Sequence, residues 1–181
     1  MDDKRGRFEA QVLPHLDAAY RLARWLARSP ADADDAVQEA VLRAFRAFDA
    51  LRGSDAKAWL LAIVRNCSWT ARRGEQRRAF VPLPEDGDVV EDQTMIAATP
   101  DPESAAVHRD DERTFDRLMA SLSTEHREVL VLREIEDMDY REIATVTNLP
   151  IGTVMSRLAR ARAALKSRWL QEIEAKPHAM P

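Results

Sequence analysis

Apolar residues recur at three- and four-residue steps through most of residues 8–78. The first series consists of Leu13, Leu16, Tyr20, Ala23 and Leu26. This spacing places side chains on one face of an α-helix. It therefore predicts an amphipathic helix that ends at the Ser29-Pro30 pair.

A second and a third apolar series follow in the same part of the chain. Asp32 stands where a helix N-cap is expected, because its short side chain can accept a hydrogen bond from the first turn. Behind it the apolar positions are Val37, Val41, Ala44, Phe45 and Phe48. A third helix is predicted over residues 57–73, with Trp59, Leu60, Ile63, Val64 and Cys67 largely inward. These helices predict a small N-terminal helical domain, residues 1–78.

The C-terminal part shows the pattern of four further helices. One is predicted over residues 112–119, and a second begins at Ser123 and ends near Asp137. Asp139 is expected to cap a third helix over residues 140–147. After the turn Asn148-Leu149-Pro150, the last helix has an inward face spaced 3, 4, 3, 4, formed by Ile151, Val154, Leu158, Ala161 and Leu165. A helix, a tight turn and a helix predict a helix-turn-helix, and a helical hairpin that only forms a core is the alternative.

The two parts are separated by residues 79–108, which contain no Lys or Arg and seven acids. Prolines stand at positions 82, 84, 100 and 102, without helical or strand periodicity. Such a composition buries too little apolar surface to offset the entropy of ordering. We expect a linker here that acts as a spacer. An acidic strand that lies in a basic channel of a partner is the alternative.

Composition limits the classes of protein that fit. The chain has 181 residues, 45% hydrophobic and 32% charged, with few alternating β-branched positions, which predicts an all-α globular protein. A single cysteine excludes an internal disulfide. No apolar run reaches the ~18 residues of a membrane span, and the N-terminal residues lack the apolar core of a secretion signal. We therefore expect a cytoplasmic protein that is not inserted in a membrane.

Positive charge is concentrated near the C-terminus. The formal net charge is −4, yet no acid occurs between Ile143 and Gln171. That window contains Arg157, Arg160, Arg162, Lys166 and Arg168. A local excess of this kind is typical of a surface that contacts phosphates, and an ordinary solvated basic helix is the alternative. Opposite the apolar face, the last helix presents Thr153, Met155, Ser156, Arg157 and Arg160. These are side chains suited to the major groove.

No arrangement of residues predicts catalysis. The four histidines are dispersed and lack the spacing of zinc ligands. The adjacent pairs Asp34-Asp35 and Asp110-Asp111 point in different directions on a helix, which argues against a shared acid–base pair. Cys67 is interpreted as a small core residue. We predict no catalytic residue, no metal site and no cofactor.

Three segments resemble the extracytoplasmic-function sigma factors of bacterial RNA polymerase. ADADDAVQEAVLRAFRAF is similar to the family's acidic helix with its Gln-Glu pair, and AWLLAIVRNCSWTARR to the promoter-melting helix that follows. LSTEHREVLVLREIEDMDYREIATVTNLPIGTVMSRLARARAAL is similar to the domain that recognises the minus-35 element. The resemblance implies region 2 at residues 1–78, the linker at 79–108 and region 4, the helix-turn-helix, at 109–175.

The resemblance also implies a role for each of three sets of residues. Docking on the clamp helices of the largest subunit of core RNA polymerase falls to Asp34, Asp35, Gln38, Glu39 and Arg43. Contacts with minus-10 DNA, including a loop that holds a flipped base, fall to Arg52, Ser54, Asp55, Lys57, Asn66, Trp69, Arg72 and Arg73. Contacts with minus-35 DNA fall to Arg141, Thr153, Met155, Ser156, Arg157 and Arg160. The expected partners are core polymerase, promoter DNA and an anti-sigma factor.

Some roles stay open within this interpretation. Trp69 is either a core residue or a platform on which a base stacks, whereas Trp59 fits the core better. Thr70 stands where the family often has an acid, and Met155 where many members have Lys. A stand-alone helix-turn-helix regulator would need an effector pocket or a dimer helix, neither of which the sequence indicates. A protein-binding adaptor would leave the acid-free, Arg-rich helix unexplained.

Overall fold

The computed structural model describes residues 2–51, 55–79 and 113–175, and every regular element in these ranges is helical. The helices are α1 (Asp2–Val12), α2 (Leu16–Leu26), α3 (Pro30–Ala47), α4 (Ala56–Ala79), α5 (113–120), α6 (Thr124–Leu130), α7 (Tyr140–Thr147) and α8 (Ile151–Ala175). Short 3₁₀ turns lie at Leu13–His15 and Phe48–Ala50. The prediction of an all-α fold is confirmed.

The N-terminal domain, α1–α4, differs from the predicted pattern at the start of α3. Ser29, in an extended conformation, is the N-cap, and its Oγ accepts a hydrogen bond from the Asp32 backbone N–H at 3.2 Å. Pro30 occupies the first helical position, where its fixed φ fits and no N–H is needed. The predicted N-cap at Asp32 is therefore wrong: Asp32 lies inside the first turn.

The buried face of α2 also differs from the predicted one. Its buried residues are Ala18, Ala19, Leu22, Ala23 and Leu26. Leu13 and Tyr20, which the spacing predicts to be inward, are 39% and 38% exposed. Leu13 lies in the 3₁₀ turn Leu13–His15, outside the helix. Tyr20 lies within α2 at the edge of its buried face, which is formed by Ala19, Leu22, Ala23 and Leu26. Two of the five predicted positions are therefore surface residues.

The inward faces of α3 and α4 mostly agree with the prediction. Val37, Ala44 and Phe48 are buried, while Phe45 is 39% exposed and packs edge-on against Phe8 with ring centroids 5.2 Å apart. On α4 the buried residues include Leu60, Val64 and Cys67, together with Leu61, which the spacing did not select. Trp59 and Ile63 are partly buried against the same cluster.

In the C-terminal domain, α5–α8, both ends of α7 lie where the sequence predicts them. Asp139 and Glu142 form a complete capping box at α7, so the predicted cap is present. Asn148 ends α7 in the left-handed conformation, with φ of 53°. One feature was not predicted: α6 continues into a π-helical turn at Val131–Ile135. The predicted linker lies outside the described residues, except for Ala79 at the end of α4.

The two domains share one continuous cluster of buried apolar residues, which extends from Phe8 to Ala161. Arg127 of α6 joins the domains through its guanidinium. It donates to the carbonyl oxygens of Met119, Ala120 and Leu122, and to that of Trp25 in α2 at 2.9 Å. Burial lowers the pKa of Arg127, and the nearby Arg72 lowers that pKa further. The end of α2 is therefore fixed to the turn that precedes α6.

Two enclosed carboxylates complete the contact between the domains. Glu136, whose side chain is 1% exposed, pairs with Arg21 of α2 at 2.7 Å and with Lys57 of α4 at 3.1 Å. Glu128 is fully enclosed and pairs with Arg65 of α4 at 2.7 Å. Buried carboxylates are stable only where donors satisfy their oxygens. The interface therefore depends on directional bonds as well as on apolar contact.

Replacement of Ser29 tests the corrected cap of α3. We expect Ser29→Ala to lower the free energy of unfolding by about 1 kcal/mol, because the Asp32 N–H loses its acceptor. Asp32→Ala removes only a favourable interaction with the helix dipole, so its effect is expected to be smaller. Urea denaturation followed by circular dichroism measures both. Equal losses, or a larger loss for Asp32→Ala, would contradict the assignment of Ser29 as the cap.

The ion pairs of Glu136 predict a pH dependence of stability. Burial raises the pKa of Glu136, but the hydrogen bonds from Arg21 and Lys57 outweigh burial and hold the pKa below the usual value of 4.5. A carboxyl group with a lowered pKa stabilises the fold above its unfolded pKa, and this stabilisation is lost as the pH falls through the folded value.

We therefore expect Glu136→Gln to lower the free energy of unfolding by about 1.5–3 kcal/mol at pH 7, since bonds to charged partners are lost. The difference between wild type and variant should close as the pH falls below 4.5, the usual value, because the protonated carboxyl resembles the amide. Urea denaturation of both proteins at a series of pH values measures it. A difference that stays constant down to pH 3 would sink the assignment.

Candidate promoter and polymerase interfaces

The C-terminal helix-turn-helix is formed by α7, the turn Asn148–Pro150 and α8. The Asn148 and Leu149 N–H groups both donate to the carbonyl of Ala144, and the Pro150 carbonyl accepts from Thr153 and Val154 at 2.8 and 3.1 Å. Val154, Leu158 and Ala161 are buried, whereas Ile151 is 44% exposed and Leu165 partly buried. The predicted inward face is thus correct in its centre.

The predicted minus-35 residues lie together on the outer side of this unit. Arg141, Met155, Ser156 and Arg160 are exposed, and Thr153 and Arg157 are half-buried. A small hydrogen-bonded chain links three of them. Arg160 donates to the Ser156 carbonyl and hydroxyl at 3.2 and 3.3 Å, and the Ser156 hydroxyl donates to the Thr153 carbonyl. The first three turns of α8 therefore present two cationic groups and short polar groups.

Further along α8, one of the basic residues forms an ion pair with an acid of the same domain. Arg162 donates to Glu134 at 2.6 Å, and this hydrogen bond raises the pKa of Arg162 above its usual value. One of the five basic residues of the acid-free stretch is thus paired with an acid from another segment of the fold.

The predicted minus-10 residues on α4 divide into two groups. Asn66 and Arg73 are exposed. Trp69 is half-buried, and its indole N–H donates to Glu128 Oε1 of the C-terminal domain at 2.9 Å. Arg72 donates to the Leu26 carbonyl at 2.9 Å. Trp69 is therefore neither a pure core residue nor an open platform, because the other domain lies against it.

Two of the predicted minus-10 residues at the start of α4 also make contacts within the protein. Asp55 Oδ1 accepts a hydrogen bond from the Ala58 N–H at 2.8 Å, so Asp55 caps α4. Lys57 Nζ donates to the Glu136 carbonyl at 2.7 Å, in addition to its ion pair with the Glu136 carboxylate. Arg52 and Ser54, the other two predicted loop contacts, lie outside the described residues.

The predicted docking residues share the outer surface of α3. Asp34, Asp35, Gln38 and Arg43 are exposed, and Glu39 is half-buried. Glu39 and Arg43 form an ion pair across one helical turn at 2.6 Å. Leu42, 52% exposed, lies between them on the same surface and was not selected from the sequence. In the sequence, a leucine that lies outside the apolar series and among charged residues is the signal that could have identified it.

Sequence analysis assigns no role to four of the charged residues that join the domains. Glu128 and Glu136 are buried acids, and Arg21 and Arg65 are their partners from the other domain. The only local signal is the position of Glu128 next to the apolar run 129–132. Its partners lie more than 50 residues away, so spacing along the chain does not reveal them.

No group of histidine, cysteine and carboxylate side chains suited to a metal ion occurs in the described ranges. Burial raises the pKa of the Cys67 thiol, so this cysteine stays protonated in the core at neutral pH. Within those ranges no helix is both long enough and apolar enough to span a membrane.

Both domains match known protein families. Residues 12–78 match the model of sigma-70 region 2, and residues 112–165 match that of sigma-70 region 4. The RNA polymerase sigma-H factor of Pseudomonas aeruginosa is 32% identical over 166 residues, which cover 90% of this chain and 86% of that protein. The extracytoplasmic-function sigma-E factor of Escherichia coli is 32% identical over 143 residues, 76% and 73% of the two chains.

Two solved structures have a similar fold. The sigma factor RpoE of Bartonella quintana, in complex with the anti-sigma factor NepR, gives a TM-score of 0.69 at 26% identity, with 89% of this chain and 95% of that chain covered. CnrH, in complex with the cytosolic domain of CnrY, gives a TM-score of 0.57 at 26% identity, with 91% and 86% covered. With both regions in order and relatives matched along most of their length, this chain belongs to the extracytoplasmic-function sigma factors, which direct RNA polymerase to promoters for the initiation of transcription.

Proposed function

We propose that the chain docks on core RNA polymerase through α3 and recognises two promoter elements through α4 and α8. The observation that carries this proposal is the separation of the three predicted sets on three helices. On α3 and α8 most of the predicted residues are exposed, whereas Lys57, Trp69 and Arg72 of α4 also bond within the fold. The three proposed contacts therefore fall on different residues of one chain.

At the minus-35 element, we propose that the first turns of α8 enter the major groove. Arg157 and Arg160 supply guanidinium groups that can bind guanine edges or phosphates, and Thr153 and Ser156 supply short hydroxyls. The Arg160 side chain lies along Ser156, so it must swing outward to reach a base. Met155 contributes an apolar contact, such as one with a thymine methyl group, where many members have Lys.

At the minus-10 element, we propose that Asn66, Trp69, Arg72 and Arg73 contact the opened strand along α4. The loop that includes Asp55 and Lys57 would hold a flipped base. Unstacking a base costs a few kcal/mol, which stacking on an aromatic ring and contacts in a pocket offset. Trp69 is the aromatic side chain on this part of α4 that is accessible enough to serve, once Glu128 releases it.

On the polymerase side, we propose that the clamp helices of the largest subunit contact Asp34, Asp35, Gln38, Glu39 and Arg43. The surface joins acidic groups with the exposed apolar side chain of Leu42. An apolar anchor surrounded by charged residues is a common composition for a protein interface. These residues belong neither to the helix-turn-helix nor to α4.

We further propose an anti-sigma factor as a regulatory partner, and the cytoplasm as the place of action. The support for the anti-sigma factor comes from the solved complex of RpoE with NepR, in which RpoE has a fold similar to that of this chain. A pull-down from the native host would identify the partner of this chain.

The experiment that tests the proposed function is a pull-down of bacterial core RNA polymerase with the purified chain, followed by run-off transcription on a library of genomic fragments. Stable 1:1 association and new start sites are the expected result. Tight binding of the free chain to duplex DNA without association with core polymerase would instead favour a stand-alone helix-turn-helix regulator.

Replacement of two arginines on α8 tests the minus-35 surface. We expect Arg157→Ala with Arg160→Ala to lower transcription from minus-35-dependent promoters at least about tenfold, since each lost contact costs about 1–3 kcal/mol. Core binding should be unchanged. Arg162→Ala is the matched control, because Arg162 belongs to the same helix but pairs with Glu134. Equal losses for the control and the double variant would exclude a specific role for Arg157 and Arg160.

Charge reversal on α3 tests the docking surface. We expect Asp35→Arg with Glu39→Arg to weaken binding to core polymerase at least about tenfold, because reversal places like charges against a complementary partner. Fluorescence titration of labelled core polymerase measures the affinity. Asp3→Arg with Glu9→Arg on α1 is the control, with the same change in net charge and the loss of exposed ion pairs across one helical turn. Unchanged affinity for the Asp35 and Glu39 double variant would refute the docking assignment.

A further inference from the structure

A cleft of about 410 Å³ lies where the end of α2 meets α5 and α6. Its walls come from α2 and the Ser29-Pro30 turn on one side, and from α5 and Arg127 of α6 on the other. The side chains that determine its chemistry are Tyr20, Arg21, Arg24, Trp25, Arg28 and Arg127. None of them belongs to the sets proposed for polymerase or promoter contacts, so the proposed function leaves this cleft without a role.

The α2 side of the cleft follows from helical spacing. Two rows of side chains, each one helical turn long, line it: Tyr20 with Arg24, and Arg21 with Trp25. Side chains four residues apart on a helix lie next to each other. Each row therefore places an aromatic ring beside a guanidinium group.

Positive charge in the cleft exceeds the negative charge around it. Glu136 binds Arg21, but Arg127 donates to carbonyl oxygens, which carry no net charge. Asp116 is the one acid among the described residues that line the cleft. Arg24 is half-buried and has no hydrogen-bond or ion-pair partner in the part of the chain that the structure describes. Because a partly desolvated cation without an anion is unfavourable, the cleft suits an anionic ligand.

Stabilisation of α2 accounts for part of this charge. Arg24 lies in the last turn of the helix, where a cation offsets the negative end of the helix dipole. The dipole explains neither Arg127, which belongs to another helix, nor the two aromatic rings. Tyr20 is 38% exposed, and Trp25 meets Phe115 edge-on with ring centroids 6.1 Å apart. Since an edge-on contact covers at most one face of a ring, aromatic surface remains beside the guanidinium groups.

We propose that this cleft binds a nucleoside di- or triphosphate, with its base against Tyr20 and Trp25 and its phosphates on Arg24 and Arg28. Arginine binds phosphate oxygens through two parallel hydrogen bonds, and every base can stack on an aromatic side chain. The volume of the cleft falls in the range of small-molecule sites, about 300–1,000 Å³. A phosphate ion alone would use the arginines and leave the rings without a contact. The site does not depend on the proposed polymerase and promoter contacts.

Isothermal titration of the full chain with ADP, in a buffer without phosphate, tests the proposal. We expect one ADP per chain, bound at least about tenfold more tightly than pyrophosphate, because stacking of the base adds to the phosphate contacts. Saturating ADP should also raise the Tm of the chain, since the ligand binds only the folded state. Equal affinities for ADP and pyrophosphate would overturn the assignment of a nucleotide, and absence of binding would overturn the site.

Replacement of two arginines locates the bound ADP. Arg24→Gln with Arg28→Gln removes two charges from the cleft, and we expect it to weaken ADP binding at least about tenfold, because charge-assisted hydrogen bonds to phosphate are lost. Arg5→Gln with Arg46→Gln is the control, which removes the same charge from exposed positions on α1 and α3. A comparable loss of affinity in both pairs would show that ADP responds to overall charge, and the site would be refuted.

Circular dichroism reports whether each variant folds. If the double variant of the cleft unfolds, Arg24→Gln alone takes its place, because Arg24 forms no bond within the described ranges that this change would break. Unchanged ADP affinity of this folded single variant would contradict the proposal. Displacement of ADP by a single-stranded DNA 20-mer that binds wild type more tightly than ADP, but not the cleft variant, would overturn it in favour of a nucleic-acid contact.

Discussion

A carboxylate that loses its water must be surrounded by hydrogen-bond donors or it destabilises the fold by several kcal/mol. Glu128 and Glu136 are in this position, and the chain meets the requirement with donors from the opposite domain. Apolar contact alone would tolerate many relative orientations of the two domains. The bonds to Arg21, Lys57 and Arg65 restrict the choice, because each has a narrow range of distance and angle.

The same ion pairs affect the distribution of positive charge. Basic groups that suit DNA also suit other anions, and ion pairs within the fold occupy some of them. Arg65 and Lys57 are neutralised by the other domain, and Arg162 by Glu134 of the same domain. Arg157 and Arg160 on α8 are the contrasting case, since they stay on an accessible surface. The chain thus exposes the surface proposed to bind duplex DNA, while it covers part of the surface proposed for the opened strand.

Much of the fold could be predicted because it depends on interactions between neighbours along the chain. The cap at Asp139 depends on residues at most three positions away, and the inner face of α8 on a regular helical period. The errors arose where a small local event changes the phase. The 3₁₀ turn at Leu13–His15 separates Leu13 from α2, and Pro30 at the first helical position makes Ser29 the cap of α3.

The contacts of Trp69 and Lys57 could not be predicted for a different reason. Their partners lie on the far side of the linker, 59 and 79 residues away. Spacing and composition carry no information on such pairs. The assignment of Trp69 to a core or a stacking role omitted the alternative that the structure contains, in which its ring edge donates to a glutamate of the other domain.

The π-helical turn at Val131–Ile135 gives the interface a particular sensitivity to insertion and deletion. A π turn accommodates one residue more than an α-helical turn, and the Glu136 N–H accordingly donates to the carbonyl five residues earlier, that of Val131. Loss of one residue from this segment would restore a regular helix and rotate Glu136 by about 100° relative to Glu128. Evolution could therefore uncouple one of the two carboxylates by a single codon deletion, without a change in any side chain that contacts DNA or polymerase.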